Sequence, residues 1–333
     1  MKTSSKMLFF SMMIISTMMV LNSESWMGVW TSLEMNLMSF IPLISSKKNS
    51  FSSQSTMMYF LTQSMASMLF IMFILTSKYM FIFMNSDTSK MLIFMSMMIK
   101  MGMPPFHMWF PEMMNKMKWN LCLILMTWQK IAPLYIISLI ISLNKMLISV
   151  ICMSALIGAI GGINQTSTRK MLAYSSINHM AWMISCAATF KKAWVMYLAI
   201  YSLMMMMTLL MMNEYNIMFI NQMSTFSTKN MDKIIIVLLM LSIGGLPPFL
   251  GFLPKWITIQ YMISSNEFML LIIMMMSSLI TLSYYLRMSM TMNLIMSHSQ
   301  KWMYLFKMNK KMSTYLFCLN MTLPMIILLM NFY

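Results

Sequence analysis

Four ionisable side chains stand deep in apolar sequence in this chain: Glu34, Lys100, Lys130 and Lys255. At membrane depth such a group costs about 2.5–3.5 kcal/mol on insertion scales, so each needs a reason to be there. Glu34 lies in Trp30-Thr31-Ser32-Leu33-Glu34-Met35-Asn36. Moving it to a surface would leave the apolar run 35–44 too short to span. Lys130 lies in Trp128-Gln129-Lys130-Ile131-Ala132-Pro133. It has about eleven residues on either side, about 16 Å of helix, too far to snorkel to an interface. Hydrocarbon burial and a nearby opposite charge act on an amine in opposite senses, so an amine under both can exchange its proton near neutral pH. A Glu34–Lys100 pair whose charge moves would alter the proton affinity of the next lysine, one unit for about 1.4 kcal/mol. The chemistry these residues suit is proton transfer along a row of sites.

Two broken apolar segments, 143 residues apart, position two of the lysines. The first reads Gly102-Met103-Pro104-Pro105-Phe106-His107-Met108-Trp109-Phe110-Pro111-Glu112. The second reads Gly245-Leu246-Pro247-Pro248-Phe249-Leu250-Gly251-Phe252-Leu253-Pro254-Lys255. Both fit Gly-x-Pro-Pro-Phe-x-x-aromatic-x-Pro-charge. A Pro-Pro pair removes two backbone donors and frees carbonyls one turn back. Lipid cannot satisfy these, so the breaks at Pro104, Pro105, Pro247 and Pro248 must face protein or a wet cavity. Lys100 precedes the first motif by two residues, and Lys255 closes the second. Glu112, at the place of Lys255, precedes Asn115, Lys116 and Lys118, so a boundary role and a pathway role are both open. Matched broken segments in two halves of a membrane chain point to a transport site.

Other polar groups fall on the same elements. His179 follows Ser175 and Ser176 at i−4 and i−3, one helical face that could hold water. A histidine satisfied by a helix–helix hydrogen bond is the competing reading. His107, inside the first break, is a similar candidate; His298 falls in a polar surface connection.

The frame that carries these residues is an all-α polytopic membrane domain. Hydrophobic residues make up 59% of the 333 and charged ones 9%, against roughly 25% charged in a soluble domain. A hydrocarbon core of about 30 Å needs about 20 helical residues, and about eleven spans meet that length. They are expected near 7–22, 26–45, 56–83, 90–110, 119–142, 145–163, 169–189, 193–213, 233–262, 267–289 and 312–331. The broken fourth and ninth helices are an odd number of crossings apart, so the repeat is inverted. Units of about 1–143 and 145–290 are followed by a final helix, all within one transmembrane domain, 1–333.

The net charge of +16 follows topology and forms no nucleic-acid-binding stripe. Alternating crossings put Lys2, Lys6, Lys47, Lys48, Lys116, Lys118, Arg169, Lys170, Lys229, Lys233, Arg287, Lys301, Lys307, Lys310 and Lys311 on one side, fifteen against five (Lys78, Lys90, Lys145, Lys191 and Lys192). By the positive-inside rule the N-terminus lies on the richer side. The connection 288–311 is expected to lie on the membrane surface.

The 58 methionines stand where Leu or Ile would serve and read as gap-filling apolar side chains rather than soft metal ligands. Such a surplus fits codon bias in an AT-rich animal mitochondrial genome. Cys122, Cys152, Cys186 and Cys318 are isolated, with no C-x-x-C, which supports neither an iron–sulfur cluster nor a zinc site; no metal is expected. Ser154, Gly158 and Gly162 form a small-residue stripe suited to close helix packing.

Taken together, Gly28–Leu37, Pro104–Glu112, Met126–Pro133, Gln165–Lys170 running into Ser175–His179, and Gly244–Lys255 resemble one family. These segments are similar to the mitochondrial NADH dehydrogenase subunit 2 family of animals, antiporter-like membrane subunits of respiratory complex I; length and methionine content look insect-like. The resemblance implies a proton-translocating subunit of the inner mitochondrial membrane with its N-terminus in the matrix. It implies a glutamate–lysine pair (Glu34, Lys100), a central lysine (Lys130), an exit-side charge (Lys255) and a polar connecting residue (His179). It places FMN, iron–sulfur clusters and ubiquinone in other subunits, with no cofactor on this chain. Other antiporter-like membrane-arm subunits, accessory subunits and lipids such as cardiolipin are the expected partners. Bacterial relatives have three more N-terminal helices, so accessory subunits are expected to buttress the first repeat here. The chain is thus read as part of an H⁺-translocating NADH:ubiquinone reductase without carrying its redox centre. A standalone cation/proton antiporter, distinguished by sodium-dependent transport, and a structural membrane-arm spacer are the competing readings.

Overall fold

A computed structural model describes residues 3–45, 49–79, 86–141, 144–225, 230–294, 317–320 and 322. Among the described residues the chain is helical, apart from turns and one isolated antiparallel bridge between Ser167 and Phe219. It divides into two compact units, Met1–Asn144 and Lys145–Tyr333.

The first unit contains α1 (Thr3–Asn22), α2 (Trp26–Ile44), α3 (Ser50–Tyr79), α4 (Ser86–Met101), α5 (Trp109–Lys116), α6 (Trp119–Met126), a 3₁₀ turn (Trp128–Lys130) and α7 (Ile131–Ile140). Helix α2 packs between α1 and α3, α3 packs on α4 and α5, and α7 meets both α1 and α4. Ser25 caps α2 by accepting from the Gly28 amide at 3.2 Å. The buried side of α2 carries Val29, Leu33, Asn36, Leu37, Phe40 and Leu43, the i, i+3, i+4 pattern of a helix with one packed face.

The second unit contains α8 (Lys145–Ile163), α9 (Thr168–Thr189), α10 (Ala193–Glu214), α11 (Gln222–Thr225), α12 (Asn230–Gly244), α13 (Phe252–Ser264) and α14 (Phe268–Leu294). Its centre is α9, which packs against α8, α10, α13 and α14 and is buried almost continuously from Thr168 to Ala187. Gly158 of α8 lets the two backbones touch: a Cβ there would come within 2.7 Å of the Asn178 amide nitrogen. Gly162 lies under the Tyr284 ring of α14, so the small-residue stripe packs helices together.

Among the described residues, six helical stretches are long and apolar enough to cross a membrane: Ser4–Asn22, Ser50–Ser77, Trp119–Ile140, Lys145–Ile163, Ala193–Glu214 and Phe268–Met292. The expected spans at 90–110 and 233–262 are interrupted at their glycines, and the one at 169–189 is a polar helix clothed by its neighbours.

Several boundaries differ from those expected, among them the start of α3, at Ser50 rather than 56. The expected span 119–142 is one helical stretch, Trp119–Ile140, interrupted by a 3₁₀ turn, because Pro133 cannot donate to the Gln129 carbonyl and the chain tightens before it. Residues 111–116, expected in a connection, complete α5. Residues 288–294, expected on the surface, extend α14. Lys2, Lys47, Lys48, Lys229, His298, Lys301, Lys307, Lys310, Lys311 and nearly all of the expected helix 312–331 lie outside the described residues.

Four helices end in one way. The chain turns left-handed at Gly102 (φ 68°), Asn216 (φ 52°), Gly245 (φ 82°) and Asn266 (φ 61°). The next amide then reaches back five residues: Met103 to the Met98 carbonyl at 3.0 Å, Ile217 to Met212 at 3.1 Å, Leu246 to Leu241 at 3.3 Å and Glu267 to Met262 at 3.1 Å. This is the Schellman closure, which needs glycine or asparagine at the left-handed position. Asparagine serves at the ends of α10 and α13, and glycine at the two interior breaks.

Candidate functional site

Each break joins its helices by a link of equal length, residues 102–108 and 245–251. In the first unit, α4 ends at Met101 with Lys100 in its last turn, where a cation faces the negative end of the helix dipole. Closure at Gly102 ties the Met98 and Ile99 carbonyls, and the next one, of Lys100, accepts from Gln63 Nε2 of α3 at 3.0 Å. Lys100 and Glu34 are both half-buried and interact electrostatically.

Lys130 closes the 3₁₀ turn between α6 and α7 and is 3% exposed. Its ammonium lies 5.8 Å from the centroid of the Phe110 ring of α5, within cation–π range. Beside it, Gln129 forms a reciprocal amide pair with Asn36 of α2: Asn36 Nδ2 donates to Gln129 Oε1 at 3.0 Å, and Gln129 Nε2 donates to Asn36 Oδ1 at 3.1 Å. The Tyr59 hydroxyl of α3 donates to the same Gln129 oxygen at 3.4 Å. These groups line a cavity of about 30 Å³ together with Lys100 and Gln63. Roughly 10–15 Å³ holds one water, so the space suits water-sized occupants between the two lysines.

In the second unit, Leu246 closes α12 and the freed Gly244 carbonyl accepts from Lys255 Nζ at 2.8 Å. Lys255, in the first turns of α13, is 5% exposed. The amine lies so close to the turn that a Cβ on Gly245 would fall 2.6 Å from Nζ. Gly251 is held just as tightly, because its Cβ would strike the Ser242 carbonyl.

A second polar cluster surrounds α9. His179 Nδ1 and the Tyr197 hydroxyl of α10 are hydrogen-bonded at 3.0 Å, and the His179 ring lies 5.0 Å from that of Tyr201. Ser175 and Ser176 donate back to the Leu172 and Ala173 carbonyls at 2.8 and 2.7 Å. Their oxygens lie beside the hydroxyls of Tyr284 and Tyr285 on α14, and of Tyr201, respectively. Asn178 Oδ1 accepts from Ser277 of α14 at 3.3 Å. Just past α10, Tyr215 meets Asp232 of the first turn of α12; burial first, and then that carboxylate, raises the phenol well above its ordinary range.

The structure thus gathers Lys100, Lys130 and, through space, Glu34 in the first unit. Lys255 and the His179–Ser175–Ser176 group lie in the second. His107, half-buried in the first link, keeps Nδ1 buried without a partner. Glu112 is exposed on α5. Pro104 is buried, whereas Pro105, Pro247 and Pro248 are exposed. The four cysteines carry free thiols. Sequence reasoning missed Asn36, Tyr59, Gln63 and Gln129, and the tyrosines at 197, 201, 284 and 285. Interior amides and phenols in apolar helices were the available signal.

The profile of the family described as NADH:quinone oxidoreductase/Mrp antiporter, transmembrane, matches residues 23–281. The chain is 42% identical over 310 residues to NADH-ubiquinone oxidoreductase chain 2 of Locusta migratoria, covering 92% of this chain and 91% of that one. It is 42% identical over 319 residues to the same-named protein of Anopheles gambiae, covering 94% and 93%. In fold it is similar to a chain of respiratory complex I from Thermus thermophilus (TM-score 0.79, 17% identity, 95% of this chain and 76% of that one). It is also similar to a chain of the Mrp complex from Dietzia (TM-score 0.73, 15% identity, 84% and 58%). Matched broken helices, an interior lysine at a helix discontinuity, and similarity over nearly the whole length converge: the chain belongs to the antiporter-like membrane family of NADH:quinone oxidoreductases, among the NADH-ubiquinone oxidoreductase chain 2 proteins.

Proposed function

We propose that the chain is a core membrane-arm subunit of the proton-pumping NADH:ubiquinone oxidoreductase, multi-pass in the mitochondrial inner membrane. It moves protons through lysines of its two units, driven by redox chemistry in other subunits. The observation that carries this reading is Lys130: an amine 3% exposed, at a broken helix, over an aromatic face. An unneutralised ammonium there is expensive in hydrocarbon unless it can change protonation or find a polar partner.

In the first unit Lys100 and Lys130 share a cavity with room for water, the medium of proton hopping over distances a side chain cannot span. Glu34 acts on Lys100 through space, so a charge arriving near Glu34 alters how tightly Lys100 holds its proton, and Lys100 in turn acts on Lys130. In the second unit Lys255 is the seat for an outgoing or incoming proton at the end of α12, and His179 with its phenols is a further polar pathway.

The finer architecture is part of the proposal. Eleven spans, inverted five-helix repeats, a matrix-facing N-terminus from the fifteen-to-five charge bias, and contacts with antiporter-like neighbours, accessory subunits and cardiolipin belong together. FMN, iron–sulfur clusters and ubiquinone are assigned to other subunits. Replacing Lys130 by Met in the assembled complex tests the reading. NADH-driven proton uptake into sealed membrane vesicles is expected to fall at least about 100-fold, as on removing an acid–base group. Full pumping with Met at 130 overturns it.

A further inference from the structure

Lys130 closes a 3₁₀ turn that interrupts the helical stretch between α6 and α7. Pro133 offers no amide to the Gln129 carbonyl. The turn is closed by the Lys130 amide to the Thr127 carbonyl at 3.3 Å and by the Ile131 amide to the Trp128 carbonyl. With one backbone bond missing at Pro133, side-chain contacts add to what orients the turn. The strongest geometry belongs to Gln129, whose amide is gripped at both ends by Asn36, with the Tyr59 hydroxyl on the same oxygen. Asn36 is 5% exposed, and parting the pair would leave buried amide groups without partners, which native interiors avoid. Amides do not titrate in this range, so this grip persists whether or not the neighbouring amine carries a proton.

We propose that the Asn36–Gln129 amide pair is a clamp that positions Lys130 for proton transfer, with Asn36 acting through Gln129. Asn36 is thus a positioning residue. It ties the turn to α2, the helix that also carries Glu34, so the carboxylate and the central lysine share one rigid reference. The titratable side chains lining the cavity with Lys130 are Tyr59 of α3 and Lys100 of α4, with Glu34 of α2 acting on Lys100; α5 contributes the Phe110 ring.

The inference rests on the proposed role of Lys130, and the test separates the two. Assembled complexes carrying N36L, Q129L, N36L/Q129L, and the length exchange N36Q/Q129N are compared for proton pumping per assembled complex and its pH profile. A misplacement of 1 Å can cost about 100-fold in a positioned reaction. Each single leucine variant is expected to lose at least about tenfold and to move the pH profile. The double leucine variant is expected to be no worse than either single one, the signature of one shared interaction. The exchange, which rebuilds the pair with its lengths swapped, is expected to recover the wild-type profile. A wild-type profile and rate in N36L, additive losses in the double variant, or an exchange variant that fails to assemble or pumps no better than N36L overturns the clamp. If the single leucine variants do not assemble, the exchange variant alone decides. Loss of pumping in K130M with no change in N36L sinks the clamp alone, whereas unchanged pumping in K130M sinks the underlying role.

Discussion

The two breaks share their backbone and differ in what they do with it. Both end a helix at a left-handed glycine, both reach back five residues with the next amide, and both then run through Pro-Pro-Phe. In the first, the freed carbonyl of Lys100 is taken by a neutral amide from another helix, Gln63, and the lysine amine is left to a cavity. In the second, the freed carbonyl of Gly244 is taken by the lysine itself. One defect displays an amine, and the other seats one. The difference follows from where the lysine falls in the motif: two residues before the glycine in the first, ten after it in the second. The upstream lysine lines the cavity beside its helix, whereas the downstream one folds back onto the end of α12. The shared geometry makes the place, and one position in the sequence chooses the role.

Substitutions at the second break should therefore do more damage than at the first. The largest effect is expected from Gly251→Ala, whose methyl would strike the Ser242 carbonyl. Backbone has no rotamer to yield, so the loss should reach about 3 kcal/mol or more, the upper end of overpacking. Thermal stability of the assembled complex reads it directly, and a variant as stable as wild type would show that this approach is not tight. Lys255→Met comes next. It strips the Gly244 carbonyl of its donor, an unsatisfied group that costs about 1–3 kcal/mol, and removes an acid–base group, so pumping should fall about 100-fold. Gln63→Leu should be mildest. Lys100 and Gln63 both line a cavity of water size, and a water taking the place of the lost donor would restore nearly the same enthalpy, leaving about 1 kcal/mol or less. Equal destabilisation by Gln63→Leu and Lys255→Met would erase the contrast between the two breaks.

The breaks were legible because glycine and proline act on the backbone through short-range sterics, which spacing alone reveals. The depth of Lys130 was legible because distance along a helix is a fixed multiple of residue number. The kink before it was only half legible: Pro133 announced a weakened helix, but the retreat to Thr127–Lys130 depends on how the α6 end is capped, with Thr127 Oγ1 bonded to the Leu123 carbonyl at 2.7 Å. The Asn36–Gln129 pair joins residues 93 apart, and no periodicity says which neutral amide meets which. The phenols around His179 stayed hidden for a related reason. In apolar helices a tyrosine reads as bulk until its neighbours show where the hydroxyl points. Glu34 and Lys100 taught a further point: sequence depth placed them at membrane level, yet within this chain both are half-buried. Depth in a bilayer and burial in a subunit are separate quantities.

The packing around the first break has its own mechanical meaning. Met98, Met101, Met103, Met113 and Met114 are all buried there, beside Phe94 and Phe110, whereas Leu239, Ile243, Phe249, Leu250 and Leu253 fill the surroundings of the second together with Met204, Met240 and Met262. Unbranched thioether chains have several near-equal rotamers and polarise easily, while branched and aromatic ones are confined to few. The surroundings of Lys100 are accordingly compliant: a shifting charge is met by rotation about soft side-chain bonds, with the helices standing still. Around Lys255 soft and branched chains are mixed, and the part that cannot yield is the backbone where Gly251 meets the Ser242 carbonyl, so a shift there is passed on as strain to the chain itself.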